Sequence, residues 1–181
     1  VLENNGVYGL TKGQFSASAD PGSKSKRGEA NTMAAIDSVL LALTLGATFV
    51  ARSFSGDKEQ LVPIIKAGIA HRGFAFIDVI SPCVTFNDHE GSTKSYAYTR
   101  EKLVEAVESD FVPLHREIAV HIDDGDVRSV RLFDGSTVKL RKVAADFDPT
   151  DREAAYAYVR ARQKEGEIVT GLLFVDPEAS D

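Results

Sequence analysis

Apolar residues recur at helical spacing from Asn31 to Leu45, through Met33, Ile36, Val39, Leu40 and Leu43, and Gly46 stands where such a helix would end. Thr48–Arg52 then reads as a short apolar strand. Asp57 suits the N-cap of a second helix carrying Leu61, Ile64, Ile65 and Ile69, with Pro63 either in its first turns or kinking it, and Gly73 closes it. Phe74–Ile80 follows as a strand. Helix, strand, helix and strand joined by short connections imply right-handed crossovers and a mainly parallel sheet, hence an α/β fold.

Beyond Cys83 the pattern changes. Residues 87–96 are polar and irregular, and Thr99 is expected to open a helix with Leu103, Val104 and Val107 on its buried stripe. Ile118–Ile122 and Ser129–Val143 alternate like strands around Asp124-Gly125 and Asp134-Gly135, the signature of a meander. Asp151 caps a last helix through Ala161, and Glu167–Val175 is a closing strand. These changes place a soft boundary near residue 90, between a segment 1–90 and a segment 91–181.

The chain opens with an apolar strand end that runs into Asn4 and Asn5 and then a loop punctuated by Gly6, Gly9 and Gly13. Amide and main-chain carbonyl oxygens suit a hard cation such as Mg2+, which takes few protein ligands and leaves room for water and phosphate oxygens. Asn-Gly is equally a strong turn signal, so a plain turn is the alternative. Ligands of parallel sheets collect at the carboxyl ends of strands. The loops after Leu2 and after Ile80 are both such exits and are expected to share one edge, with Asn5 and the Val7 carbonyl at the end of a central strand.

Composition narrows the classes. The chain has 181 residues and a mass of 19.6 kDa, enough for one sizeable core with a small appended unit. A net charge of −6 and a pI near 5.3 argue against nucleic acid as a partner. The short basic run Lys24–Arg27 reads as a solvated loop, with a diphosphate or coenzyme A tail as its functional alternative. No apolar run approaches bilayer length and no secretory leader is evident, so the expectation is a cytoplasmic protein without a membrane partner. The single cysteine cannot form an internal disulfide. The histidines at 71, 89, 115 and 121 lack zinc-ligand spacing, and Asp123, Asp124 and Asp126 cluster at a turn.

The string Asn4-Asn5-Gly6-Val7-Tyr8-Gly9-Leu10-Thr11-Lys12-Gly13-Gln14 resembles the second half of the thiamine-diphosphate motif in beta subunits of 2-oxoacid:ferredoxin oxidoreductases. The family motif opens with Gly-Asp-Gly, which the resemblance places ahead of Val1, so the chain is expected to be a C-terminal fragment. The resemblance continues through 45–52, Ile80-Ser-Pro-Cys-Val-Thr-Phe-Asn87 and 166–174, and so covers essentially the whole chain. Relatives usually read Ser-Pro-Thr after the glutamine, where this chain has Phe15-Ser16-Ala17-Ser18.

The resemblance implies the C-terminal half of a thiamine-diphosphate-binding doubly wound sheet over residues 1–90, with a small α+β C-terminal extension over 91–181. It implies cofactor contacts at Asn5, Val7, Tyr8 and Gly9. The Asn5 side chain and Val7 carbonyl would be ligands to Mg2+, and Leu10 and Lys12 would face the substrate. Lys12 as an ammonium suits a 2-oxoacid carboxylate, and its plain reading is an exposed loop lysine. Cys83 would be one ligand of a 4Fe–4S cluster, whose other cysteines include a Cys-x-x-Cys outside this chain; a buried packing cysteine is the alternative. His89, near Cys83 in sequence, reads as a solvated loop residue or a contact to that loop. No residue need be a covalent nucleophile.

The implied activity is oxidative decarboxylation of a 2-oxoacid, 2-oxoglutarate foremost, to acyl-CoA. Electrons would reach ferredoxin, coenzyme A would be co-substrate, and an alpha subunit would complete the site. The rivals are a non-oxidative thiamine-diphosphate decarboxylase or synthase, which needs no cluster, and an inactive binding or assembly fragment.

Overall fold

The computed structural model describes residues 1–112, 127–131, 137–142 and 147–179. The chain runs β1 (Leu2–Asn4), β2 (Val7–Tyr8), β3 (Gln14–Phe15), α1 (Ser38–Thr44), β4 (Phe49–Phe54), α2 (Lys58–Ala70), β5 (Ala75–Ile80), α3 (Tyr96–Lys102), β6 (Leu103–Val112), β7 (Val127–Arg131), β8 (Thr137–Lys142), α4 (Arg152–Lys164) and β9 (Ile168–Val175). Among the described residues a seven-stranded sheet has the order β1-β5-β4-β9-β6-β8-β7, and β2 and β3 form a separate ribbon. The α/β class is as expected.

β1, β5 and β4 are parallel. β9 then enters antiparallel to β4 and parallel to β6, and β8 runs antiparallel to both β6 and β7. The closing strand thus stitches the parallel part to the meander, and the sheet runs on across residue 90. β1 lies at the edge of the described sheet, with β5 beside it, and not in its centre.

Successive strand residues face opposite sides, which fixes where the helices lie. Ser53 donates to Gln60 of α2, while its neighbour Arg52 bonds Asp37, the N-cap of α1, on the other side. Gln163 of α4 reaches the same Asp37, so α1 and α4 share that face. Phe49, Val50, Ile64, Leu172 and Leu173 are buried between the layers, and burying each such side chain contributes about 1.5–3 kcal/mol.

Two helices differ from the sequence reading. α1 begins at Ser38, because the Asp37 carboxylate accepts the N–H groups of Val39 (2.8 Å) and Leu40 (3.0 Å) and so caps the helix there. Residues 31–36 stay irregular, since the Asn31 side chain is committed to the carbonyls of Ala19, Asp20 and Met33; Met33 and Ile36 are consequently exposed. The helix expected from Thr99 to Val107 stops at Lys102. Leu103 adopts extended angles (φ −65°, ψ 132°), and Val104 and Val107 pair with Val169 and Gly171 of β9. Their branched side chains lose less rotamer freedom in a strand, and the neighbouring strand supplies backbone partners.

The other elements agree with expectation. Asp57 caps α2 through Gln60 N–H (3.1 Å), Pro63 is accommodated inside the helix, and Asp151 caps α4 through Glu153 and Ala154. β7 and β8 form an antiparallel pair. Residues 118–122, both Asp-Gly turns, His115, His121 and the Asp123, Asp124, Asp126 cluster lie outside the described residues.

Candidate functional site

The carboxyl ends of β1 and β5 finish together, with Asn4 opposite Ile80. Both chains then turn into the loops singled out in the sequence, and these loops touch. Ser81 N–H donates to the Asn4 carbonyl (3.0 Å), and the Asn87 side-chain amide donates to the Asn5 carbonyl (2.7 Å). Asn4 itself is buried and accepts the Ser18 hydroxyl at 2.7 Å, which anchors the segment that follows the ribbon.

Asn5 is half-buried, and its Oδ1 accepts the Val7 N–H at 3.0 Å in a local turn. Gly6 enters this turn at φ +72°, and a Cβ there would sit 3.0 Å from Lys94 Cγ and 3.1 Å from Asn87 Nδ2. Only glycine meets both demands without strain.

The ribbon register fixes the direction of the Val7 carbonyl. Ser16 N–H bonds the Gly6 carbonyl and Gly13 N–H the Tyr8 carbonyl, while Val7 stands opposite Phe15. The backbone groups of Val7 therefore point away from β3. Because N–H and C=O of one strand residue point to the same side, the Val7 carbonyl lies on the side where Asn5 Oδ1 already meets the Val7 N–H. Two neutral oxygens on one side of a strand-end turn are a donor set that fits a hard cation with room left for phosphate oxygens.

The tip of the ribbon is different. Leu10 is 98% exposed, and Lys12, also exposed, holds φ +61°, the one non-glycine residue with positive φ among those described. Lys12 N–H closes the turn onto the Gly9 carbonyl at 3.0 Å. Tyr8 is half-exposed at the ribbon's base. Leu10 and Lys12 thus stand exposed at the ribbon tip.

Cys83 is half-buried, and its carbonyl accepts N–H groups from Phe86 (3.1 Å) and Asn87 (2.7 Å), closing a tight loop. A Cβ on Gly13 would meet Phe86 at 3.3 Å, so the ribbon packs on this loop. As the single cysteine of the chain, Cys83 falls short of the four thiolates a 4Fe–4S cluster takes; the residues present do not fit such a cluster by themselves. Among the described residues no three His, Cys, Asp or Glu side chains gather as a metal site. His89 is half-buried, with Nδ1 2.9 Å from the Glu90 carbonyl.

Sequence reading missed a buried ionic group beside these loops. Arg52 Nε bonds Asp78 Oδ2 and its Nη2 bonds Asp37 Oδ1, each at 2.8 Å. Burial works against the charge on Arg52, but the carboxylates of Asp78 and Asp37 outweigh it and hold the guanidinium protonated. Burial likewise opposes ionisation of Asp37; the charge of Arg52 and hydrogen bonds from Leu40, Arg52 and Val39 overcome it and keep the carboxyl below its ordinary range. This group lines a cavity of about 500 Å3 that also takes in Asn4, Ser18 and Lys94. The signal was available: opposite charges, Arg52 and Asp78, stand inside two apolar strands expected to be neighbours.

Loops that meet at the carboxyl ends of parallel strands stand where open α/β sheets bind their ligands. Residues 1–79 match the family model for the thiamine pyrophosphate enzyme, C-terminal TPP binding domain. Over 97 residues the chain is 46% identical to the 2-oxoacid:ferredoxin oxidoreductase subunit beta of Saccharolobus solfataricus, covering 53% of this chain and 31% of the relative. Over 92 residues it is 38% identical to the 2-oxoglutarate oxidoreductase subunit KorB of Mycobacterium tuberculosis, covering 49% of this chain and 24% of that one. A solved 2-oxoglutarate:ferredoxin oxidoreductase from Magnetococcus marinus, with 2-oxoglutarate, coenzyme A and succinyl-CoA bound, superposes with a TM-score of 0.67 at 25% identity, over 99% of this chain and 47% of that chain. The matched segment therefore spans about a third or less of these curated relatives, and the chain about half of the solved one. The chain thus resembles beta subunits of 2-oxoacid:ferredoxin oxidoreductases in sequence over about half its length, and a 2-oxoglutarate:ferredoxin oxidoreductase in fold over nearly all of it. No helix among the described residues is long and apolar enough to cross a membrane.

Proposed function

We propose that this chain is the C-terminal part of a beta subunit that carries out thiamine-diphosphate-dependent oxidative decarboxylation of a 2-oxoacid to acyl-CoA. 2-Oxoglutarate is the substrate, ferredoxin takes the electrons by way of a 4Fe–4S cluster, an alpha subunit completes the site, and the work is done in the cytoplasm. The observation that carries the reading is the turn after β1, in which Asn5 Oδ1 accepts the Val7 N–H and the ribbon register leaves the Val7 backbone groups unpaired with β3, supported by the family match over residues 1–79.

In this reading Asn5 and Val7 hold Mg2+ against the cofactor diphosphate, and being neutral they leave the ion enough charge to bind that anion. Thiamine diphosphate, when bound, supplies the stabilised carbanion chemistry that decarboxylation needs. Tyr8 and Gly9 border the diphosphate, and Leu10 and Lys12 reach the substrate from the ribbon tip, the ammonium pairing with its carboxylate. Their exposure fits a surface that a partner subunit covers. Cys83 serves as one thiolate of the cluster, with the remaining ligands supplied from outside this chain. Residues 1–90 carry the cofactor loops, and residues 91–181 form the unit whose last strand closes the sheet.

The test is reconstitution of the full-length subunit with its partner, using thiamine diphosphate, Mg2+ and iron with sulfide. Cofactor binding that depends on Mg2+, together with 2-oxoglutarate- and coenzyme A-dependent ferredoxin reduction, is the expected result. Decarboxylation without ferredoxin reduction would move the protein to the non-oxidative class.

A further inference from the structure

We propose that Asn87 is a positioning residue that ties the turn at Asn5 to the loop at Cys83, so that the two loops are held as one unit; the role rests on the cofactor reading above. Asn87 is 1% exposed. Its side-chain Nδ2 donates to the Asn5 carbonyl at 2.7 Å, across a separation of 82 residues. Its main-chain N–H donates to the Cys83 carbonyl, also at 2.7 Å. One residue thereby holds a carbonyl from each loop.

The side chain has no freedom to let go. Ser92 Oγ lies 2.8 Å from both Oδ1 and the main-chain carbonyl of Asn87, sharing its single proton between them, and accepts the Lys94 N–H in turn. With Oδ1 taken by a hydroxyl and a carbonyl that can only accept on the opposite side, the amide nitrogen must face Asn5. The same nitrogen fills the space that the missing Cβ of Gly6 leaves, 3.1 Å from where that atom would sit.

The consequence runs through the peptide between Asn5 and Gly6. Its plane is set by the bond to Asn87, and that plane fixes where Val7 begins and hence where its N–H meets Asn5 Oδ1. A group that orients ligands without touching the ion is typically worth about 10–100-fold in metal affinity. Aspartate at this position keeps the shape but removes the donor and sets an oxygen against an oxygen.

The experiment uses the full-length subunit assembled with its partner, in wild type, Asn87→Asp and an exposed control in the same loop, Thr85→Ala. Amide hydrogen exchange is read at Val7 and Phe86 before any cofactor is added, and Mg2+ is then titrated in the presence of thiamine diphosphate. Asn87→Asp is expected to speed exchange at both amides by about tenfold or more and to weaken Mg2+ by about 10–100-fold, while Thr85→Ala matches wild type. Acceleration at one amide only, or at neither, overturns the coupling. Faster exchange at both with wild-type Mg2+ affinity overturns the positioning role. A wild-type subunit that shows no Mg2+-dependent cofactor binding brings down the cofactor reading itself, and this role with it. Should Asn87→Asp fail to fold, Ser92→Ala releases the clamp without touching Asn87 and is expected to give the same paired changes at smaller amplitude; no change in either measurement overturns the proposal.

Discussion

Arg52 and Asp78 stand directly opposite each other on the parallel strands β4 and β5 and are joined by a 2.8 Å bond from Nε to Oδ2, with the carboxylate fully buried. Asp78 Oδ1 has no hydrogen-bond partner among the described residues, so this carboxylate depends on the guanidinium. Removing one partner of a buried pair typically costs about 3–5 kcal/mol, whereas replacing both by apolar groups can be close to neutral. Arg52→Met is expected to lower the unfolding free energy by about that amount in urea titrations. The double variant with Asp78→Leu should recover the part of the loss that comes from stranding Asp78, while Asp37, which also pairs with Arg52, keeps among the described residues only its helix N–H groups and Gln163 as partners.

Gly171 marks the seam where β9 joins the two parts of the sheet. It has φ +104°, and a Cβ there would lie 2.5 Å from the Val107 carbonyl oxygen. The β6–β9 and β4–β9 ladders both shift register close to it. Gly171→Ala must therefore pay both backbone strain and a backbone clash, and a loss of about 3 kcal/mol or more is expected in thermal or urea unfolding. Gly166→Ala, also at positive φ but with open space around it, separates the two causes by reporting strain alone.

The parallel half of the fold was legible because its signals are local: Asp57 as a cap, Gly46 as a stop, and apolar strands of continuous character; Asp151 announced α4 in the same way. β6 was not, because Leu103, Val104 and Val107 fit a helical stripe equally well and only the non-local pairing with β9 decides the matter. At the site, the residue types in the loops announced themselves, and the shared edge followed from parallel topology. The Asn87 bridge was hidden, since it joins residues far apart in the chain whose individual neighbours are unremarkable, whereas the Arg52 group left a trace in the charges of Arg52 and Asp78 within apolar strands.

Two groups set successive steps on the acid side of the pH dependence. Burial holds His71 below its ordinary pKa, against an opposing pull from Asp176, and its Nε2 meets Thr48 Oγ1 at 2.8 Å. The stability this neutral ring contributes is complete above its unfolded pKa, about 6.5, and is lost as pH falls through the lower folded value. Asp37, held below its ordinary range as described, contributes stability that is complete above about pH 4 and is lost as pH falls through its own folded value. Urea midpoints should thus decline in a first step below about pH 6.5 that His71→Gln flattens, and in a second below about pH 4 that Asp37→Asn flattens while keeping the helix cap.

Lys12 separates fold from function because its side chain is exposed and its backbone is the unusual part. Lys12→Met leaves the same φ strain in place, so stability should change little, and Lys12→Gly should shift it by less than about 1 kcal/mol as strain relief and unfolded-chain entropy offset each other. In the assembled enzyme, Lys12→Met is expected to raise KM for 2-oxoacids while thiamine diphosphate affinity is retained, because the ammonium is assigned to the substrate carboxylate. Unchanged steady-state constants for every 2-oxoacid tested would return Lys12 to the ordinary loop lysines.

Asn5 makes the sharpest demand, since under the proposed function one side-chain oxygen would serve both the turn and the ion. Asn5→Ala removes the acceptor of the Val7 N–H and the proposed metal ligand together, at a site where the Asn87 bond to the Asn5 carbonyl does not depend on the side chain. The turn should therefore survive in outline while Mg2+ and thiamine diphosphate affinities fall in parallel, by at least about tenfold, because in the proposed site the ion would link the protein to the diphosphate. Asn5→Asp keeps an oxygen in both places and should retain Mg2+ binding, yet its negative charge opposes the diphosphate, so the two affinities should part company. Titrating each variant with Mg2+ at saturating cofactor, and with cofactor at saturating Mg2+, reads both quantities; an alanine variant that binds both like wild type would show that Asn5 only shapes the turn.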